Sequence, residues 1–124
     1  MHVPPFTLDR QLSEIGQDID SAVLNVLKSG FFIGGPEVKS FERSFANNIG
    51  VNYAISCNSG TDSLVLALRA LNIGPGDEVL TPSFSFFATA EAISAVGARP
   101  VFIDVDPSNY LIDLKLLQDL ILQT

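Results

Sequence analysis

The sequence of 124 residues contains one cysteine, one histidine and no tryptophan. A single cysteine, Cys57, excludes an intramolecular disulfide framework and a cysteine-rich metal site. With a single histidine, His2, a histidine-based triad or a multi-histidine metal site would need side chains from another chain. We therefore expect no metal site in this protein.

Long apolar runs and basic residues are also scarce. No apolar run approaches the roughly 20 residues that cross a bilayer, and the first residues lack the basic and apolar regions of a secretory signal. Seven Lys and Arg stand against 14 Asp and Glu, a formal net charge of −7, which disfavours nucleic acid or an anionic membrane as the partner. Because 47% of the residues are hydrophobic, intrinsic disorder is excluded, and we expect a folded cytoplasmic protein.

The first 50 residues have the apolar periodicity of helices. Apolar residues spaced three and four apart over residues 10–29 predict a helix that stops at Gly30. A second predicted helix begins at Pro36, since proline fits a first helical turn, and ends at Gly50. An aromatic and glycine-rich link, residues 31–35, joins them. We therefore predict that residues 1–50 form an N-terminal helical segment.

From residue 51 onward, predicted strands alternate with predicted helices. The strands are expected at residues 51–57, 78–81 and 99–105, and the helices at residues 61–71, 88–96 and after a cap at Asp113. Such alternation predicts parallel pairing through right-handed crossovers, and therefore an α/β fold. Three strands make a small sheet, and the last helix shows no end signal. We therefore expect residues 51–124 to be the first part of a larger, truncated domain.

Ligands of a parallel sheet bind at the carboxyl ends of its strands. The first loop at that edge is Ser59-Gly60-Thr61, between a predicted strand and a largely covered helix. Amide groups at a helix N-terminus bind phosphate, and glycine permits a close approach. Serine or threonine at the same position also caps a helix without any ligand. The spacing alone leaves both capping and anion binding open.

Two further loops and the lysines complete this edge. Three phenylalanines within residues 84–87 are either core residues or, in part, rings that stack on an aromatic cofactor; core packing is favoured for Phe84 and Phe87. Asp104 and Asp106 favour turn chemistry over binding of a substrate or a cation. No lysine lies in a strand-end loop where it could form a Schiff base. The lysines all fall on predicted helices: Lys28, Lys39 and Lys115.

Several stretches, taken in order and with their spacings, carry a family resemblance. They are FIGGPEV at residues 32–38, SGTDSL at 59–64, GPGDEV at 74–79, TPSF at 81–84 with ATAEAI at 88–93, and GARPVFIDVD at 97–106. Together they resemble the DegT/DnrJ/StrS family of pyridoxal-phosphate (PLP) sugar aminotransferases. The resemblance implies the aspartate-aminotransferase-like fold (PLP fold type I), with this chain as the first part of its large domain.

The resemblance also implies which residues bind ligands. It implies that the cofactor phosphate is held by Ser59, Gly60, Thr61 and Asp62. Phe86 matches the aromatic residue that stacks on the pyridine ring, for which many relatives have tryptophan. Phe32 and Gly34 match a link near the substrate entrance. Members of the family are homodimers with active sites at the subunit boundary.

The family's Schiff-base lysine, and the aspartate that pairs with the pyridine nitrogen, have no counterpart in this sequence. The complete enzyme implied by the resemblance transfers an amino group from glutamate or glutamine to a nucleotide-linked keto-sugar. Residues 1–124 alone are therefore predicted to be inactive. The alternative is a non-catalytic regulatory module that binds phosphate or PLP, or an inactive truncated product. A nicotinamide-dependent dehydrogenase is disfavoured because the first strand–helix turn lacks the glycine triplet.

Overall fold

The computed structural model describes residues 4–122, so His2 and the last two residues lie outside the described part. The chain divides into two compact units, Met1–Ser56 and Cys57–Thr124. Within residues 4–122 no helix is long and apolar enough to span a bilayer. The helices and strands along the chain are α1 (Asp9–Ser29), α2 (Pro36–Ile49), α3 (Gly60–Ala70), β1 (Glu78–Pro82), α4 (Phe87–Ala95), β2 (Arg99–Ile103) and α5 (Leu114–Ile121).

Glycines end both helices of the first unit, as the sequence predicts. Gly30 follows α1 with φ 72°, and Gly50 follows α2 with φ 79°. Both angles lie in the left-handed region, where glycine has no steric penalty. Pro36 occupies the first turn of α2. The predicted helices at 10–29 and from Pro36 to Gly50 are therefore confirmed to within one residue.

The second unit is built on a two-stranded parallel sheet. β1 and β2 pair in register from Glu78 opposite Arg99 to Pro82 opposite Ile103, and α4 forms the crossover between them. α4 packs on both strands and on α3. The side chains buried here are small apart from two isoleucines: Ala88, Ala92, Ile93, Ala98 and Ile103. The α/β prediction, with parallel strands joined by a helix, is therefore confirmed.

The strand predicted at residues 51–57 is wrong within the described structure. These residues form neither helix nor strand, and only Ala54 among them is partly buried. A β-strand needs a hydrogen-bonded neighbour, and the sheet of the described residues consists of β1 and β2 alone. One anchor of this segment is the Ser56 amide, which donates to Oε1 of Glu42 on α2 at 2.7 Å.

The third predicted strand ends earlier than expected, at Ile103 instead of residue 105. At the next residue the Asp104 carboxylate accepts the Val105 amide at 2.8 Å. Val105 then forms an isolated antiparallel bridge with Ile112. Beyond this bridge the predicted cap of the last helix is confirmed, since Asp113 Oδ1 accepts the amides of residues 115 and 116 at 2.8 and 3.1 Å.

The expectation that α3 is largely covered is also wrong for the described residues. Leu64, Leu66 and Leu71 are 41%, 51% and 71% exposed. Helix α4 packs on α3, but this contact leaves much of these leucines exposed. The apolar stripe of α1 is similarly exposed, at Leu12, Ile15, Ile19, Val23 and Leu27. Such surfaces favour association with other protein surface.

Candidate active site

Ser59 caps helix α3 in a reciprocal arrangement with Asp62. The serine backbone is extended, with φ −156° and ψ 161°. Its Oγ accepts the Asp62 amide at 3.1 Å and donates to Asp62 Oδ2 at 2.9 Å. The Ser63 amide donates to the Ser59 carbonyl at 3.0 Å, which closes the first helical turn. The capping interpretation of this junction is therefore confirmed, in a form that resembles a capping box.

The same cap leaves the first two amides of α3 available. Among the described residues, no acceptor is found for the N–H groups of Gly60 and Thr61. A Cβ built at Gly60 meets nothing within 4 Å. A helix N-terminus with free amides carries about half a positive charge. This donor set fits a phosphate group, and capping and anion binding therefore do not compete for the same N–H groups.

Asp62 enters the site in a way that the sequence did not reveal. Its amide donates to Ser59 Oγ, and its carboxylate accepts a hydrogen bond from the Ser59 hydroxyl. An anion at the junction would therefore accept a hydrogen bond from the Ser59 hydroxyl only if that hydroxyl turned away from Asp62.

Phe86 lies at the junction between β1 and α4, where it is the N-cap residue with φ −85° and ψ 145°. Its ring is 78% exposed and lines a cavity of about 340 Å³. The loop before it is ordered by the Ser83 amide, which donates to the Ile103 carbonyl at 2.9 Å, and by a 3.3 Å contact between the Ser85 and Thr89 hydroxyls. A ring held in this way is free to stack on a planar ligand.

The preference for core packing of Phe84 and Phe87 is wrong within the described structure. Their rings are 71% and 74% exposed. Phe84 lies in the loop after the carboxyl end of β1, and Phe87 is the first residue of α4. An exposed aromatic cluster of this kind is typical of a binding surface or of a contact with other protein.

Sequence reasoning missed Thr81, which lines the same cavity as Phe86. Thr81 is 3% exposed, and its Oγ1 is buried without a hydrogen-bond partner among the described residues. Buried hydroxyls are usually paired. The signal available in the sequence was a polar residue inside a short apolar strand, directly before Pro82.

Asp106 has the turn role that the sequence favoured. Its carboxylate accepts the Ser108 hydroxyl at 2.6 Å and the Ser108 amide at 2.8 Å. These two bonds, the hydroxyl first, lower the pKa of Asp106 from its ordinary value because they stabilise the ionised form. Among residues 4–122 no group of three potential metal ligands is present.

The expected substrate-entrance residues belong to the unit Met1–Ser56, whereas the phosphate and ring residues belong to Cys57–Thr124. Phe32 is 66% exposed, and Gly34 has φ 60°. At the next position, a Cβ on Gly35 would lie 3.0 Å from the carbonyl oxygen of Phe31. This link therefore requires glycines for its local shape, and the substrate role of Phe32 and Gly34 stays a prediction.

The lysines lie where the sequence predicted them. Lys28 is on α1, Lys39 on α2 and Lys115 on α5. None of them is in a loop at the carboxyl end of β1 or β2. At this edge the described residues thus offer hydroxyls and an aromatic face, but no amine that could react with a carbonyl group.

Comparison with known proteins finds aminotransferases that are similar to this chain over most of its length. It is 45% identical over 111 residues to the UDP-2-acetamido-2-deoxy-3-oxo-D-glucuronate aminotransferase of Pseudomonas aeruginosa, a match that covers 90% of this chain and 31% of the relative. A crystal structure of a DegT DnrJ EryC1 StrS aminotransferase from Brucella abortus superposes with a TM-score of 0.90 and 41% identity. That match covers 94% of this chain and 31% of the other.

A cofactor-bound structure is also among the similar ones. It is a protein from Bacillus subtilis with bound PMP, the amino form of the same cofactor, with a TM-score of 0.87 and 35% identity over 94% of this chain and 27% of that chain. The chain thus spans about 30% of the length of the relatives that it matches. The model of the DegT/DnrJ/EryC1/StrS aminotransferase family matches residues 13–124. This chain belongs to the DegT/DnrJ/EryC1/StrS aminotransferase family.

Proposed function

We propose that this chain supplies the phosphate-binding junction and the ring-stacking residue of a PLP-dependent aminotransferase that acts on a nucleotide-linked keto-sugar. The observation that carries the proposal is the family match over residues 13–124. The free amides of Gly60 and Thr61 and the exposed ring of Phe86 support it locally. The name of the Pseudomonas relative contains a UDP-linked 3-oxo sugar acid, which supports the substrate class.

Each residue of the proposed site has a separate task. The Gly60 and Thr61 amides donate to the phosphate, and the positive end of α3 stabilises its charge. Ser59 and Asp62 keep the first turn of α3 in shape, and the Ser59 hydroxyl is a further donor once it leaves Asp62. Phe86 fixes the plane of the ring by stacking. When bound, PLP supplies an electron sink for the transfer of an amino group.

The remaining parts of the active site come from outside the matched segment. The Schiff-base lysine and the aspartate for the pyridine nitrogen belong there, since no lysine of the described residues lies at the sheet edge. The proposal includes glutamate or glutamine as amino donor, Phe32 and Gly34 near the substrate entrance, and a homodimer. The exposed apolar faces of α1 and α3 are consistent with burial against further protein.

The test compares this 124-residue chain with a full-length protein that carries it. Each is mixed with PLP and, in separate samples, glutamate or glutamine, and the absorption spectrum is followed for conversion to the pyridoxamine form. We expect conversion by the full-length protein, and its reversal on addition of a UDP-linked 3-keto-sugar. We expect no conversion by the chain alone.

The outcomes separate the competing interpretations. Binding of PLP without conversion, in the full-length protein, would favour a regulatory module over an aminotransferase. Conversion by residues 1–124 alone would contradict the assignment of the reactive amine to another part of the protein. Failure of the full-length protein to bind PLP would refute the proposed function itself.

A further inference from the structure

A second cavity, of about 420 Å³, lies at the carboxyl ends of β1 and β2. It shares Ser83 with the cavity of Phe86, so the two are neighbours along the same sheet edge. Its other lining residues are Phe84, Asp104, Val105, Pro107 and Tyr110. The volume is within the usual range for small-molecule sites.

Two exposed aromatic rings form one side of this cavity. The ring centroids of Phe84 and Tyr110 are 6.0 Å apart, with an interplanar angle of 36°. The rings nevertheless remain 71% and 67% exposed, so their contact covers little of either face. They therefore offer apolar surface to a ligand.

The backbone holds Tyr110 in a costly conformation. Its φ of 60° lies in the left-handed region, which is uncommon for a bulky residue. The Tyr110 amide donates to the Asp106 carbonyl at 2.8 Å, which fixes the conformation. Strain of this kind is concentrated at functional sites, and the strained residue here lines the cavity.

The polar side of the cavity carries negative charge. Asp104 is exposed, and its Oδ1 accepts the Val105 amide at 2.8 Å. No donor to Oδ2 is found among the described residues. Neither lysine nor arginine lines the cavity, so an anionic group such as phosphate would be repelled. The chemistry fits the part of a ligand that combines an apolar face with hydroxyl donors, and a carboxylate on the same ligand would have to lie away from Asp104.

We propose that this cavity binds the sugar ring of the nucleotide-linked substrate, an inference that rests on the proposed function. A pyranose ring has a face of C–H bonds, which packs on Phe84 and Tyr110, and a rim of hydroxyls, which donate to Asp104. The shared residue Ser83 places this sugar subsite next to the cavity of Phe86, where the cofactor ring is proposed to stack. Asp104 and Tyr110 then contribute to the choice of sugar.

The test measures binding to the full-length protein by titration calorimetry, with UDP-N-acetylglucosamine and UDP as probes. The Asp104→Asn variant keeps the acceptor for the Val105 amide but loses the charge. Loss of a hydrogen bond to a charged group weakens binding by about tenfold or more. We expect this loss for UDP-N-acetylglucosamine. For UDP we expect the affinity to change by less than about twofold, which is the usual size of the effect of a surface substitution. Asp106→Asn, at a carboxylate outside the cavity, is the matched control and should change neither affinity.

A second variant separates a loss of binding from a loss of folding. Tyr110→Asn removes the ring, and asparagine tolerates the left-handed region better than tyrosine. We expect an unchanged or higher melting temperature together with weaker binding of UDP-N-acetylglucosamine, by about fivefold.

Three results would overturn the subsite: unchanged affinity in both variants, equal losses for the two probes, or no binding of UDP-N-acetylglucosamine by the unmodified protein. The PLP spectrum of the same samples reports on the proposed function independently. A protein that binds the sugar nucleotide through Asp104 but takes up no PLP would keep the subsite and refute the aminotransferase proposal.

Discussion

Replacing Ser59 with alanine separates the two tasks of the α3 junction. The hydroxyl accepts the Asp62 amide at 3.1 Å and donates to the Asp62 carboxylate at 2.9 Å. In Ser59→Ala the amide loses its acceptor, and the unfolding free energy should fall by about 0.5–2 kcal/mol, the usual cost of losing an N-cap. This effect is independent of any ligand.

The effect on cofactor affinity is smaller than a simple count of donors suggests. A hydrogen bond to a charged group is worth about 1.5–3 kcal/mol. The Ser59 hydroxyl must leave the Asp62 carboxylate, itself a charged acceptor, before it reaches a phosphate, so the two bonds largely cancel and the net gain is at most about 1 kcal/mol. We therefore expect Ser59→Ala to weaken PLP binding by no more than about fivefold, because the backbone amides of Gly60 and Thr61 remain.

The assay uses a full-length protein that carries this chain. Denaturant unfolding of the cofactor-free form gives the stability, and spectroscopic titration with PLP gives the affinity. Ser59→Thr is the control, since threonine keeps a hydroxyl and is an acceptable N-cap. A loss of stability with an affinity changed less than twofold would show that Ser59 only caps the helix. A loss of affinity beyond about a hundredfold would show that the amides do not carry the phosphate.

Further predictions concern other parts of the second unit. Phe86→Leu should weaken PLP binding by about fivefold through loss of stacking, whereas Phe86→Trp should retain it; equal affinity of the leucine variant, by the same titration, would contradict the stacking role. Ser108→Ala should raise the pKa of Asp106 in an NMR titration of its carboxyl, and an unmoved pKa would be the contrary result. Because that pKa is lowered in the folded protein, the stabilising effect is present above the ordinary value near 3.8 and is lost as the pH falls through the folded-state pKa. Asp113→Ala should cost about 0.5–2 kcal/mol of stability because α5 loses its cap, and an unchanged denaturation midpoint would argue against it. The chain alone should self-associate through its exposed leucines, and a sharp monomer peak in sizing chromatography with cooperative melting would disprove this.

Local signals in the sequence determine the helix boundaries. Gly30 and Gly50 end their helices in the left-handed region, and Pro36 begins one. Asp113 caps the last helix as predicted. These features depend on a few neighbouring residues, so a sequence pattern suffices to find them. The family motifs also predict the fold, because several of them occur in the family's order and with its spacings, whereas a single motif would not identify a fold.

Features that depend on distant partners are harder to predict from the sequence. The apolar residues 51–57 have the composition of a strand, but a strand forms only with a paired neighbour, and the described residues provide none. The positive φ of Tyr110 could not be predicted from the residue type, since tyrosine is uncommon in the left-handed region. The hydrogen bond between Ser59 and Asp62 was missed because the pattern fixes their spacing but not the rotamers that join them.

The proposed cofactor site needs two contacts at once: the amides of Gly60 and Thr61 hold the phosphate, and Phe86 stacks on the ring. A crystal structure of the full-length protein with PLP would show both contacts. We expect phosphate oxygens within about 3.2 Å of both amide nitrogens, the normal hydrogen-bond limit, and the pyridine ring facing the Phe86 ring. A phosphate bound elsewhere, with the α3 N-terminus in contact with solvent or with other protein, would contradict it.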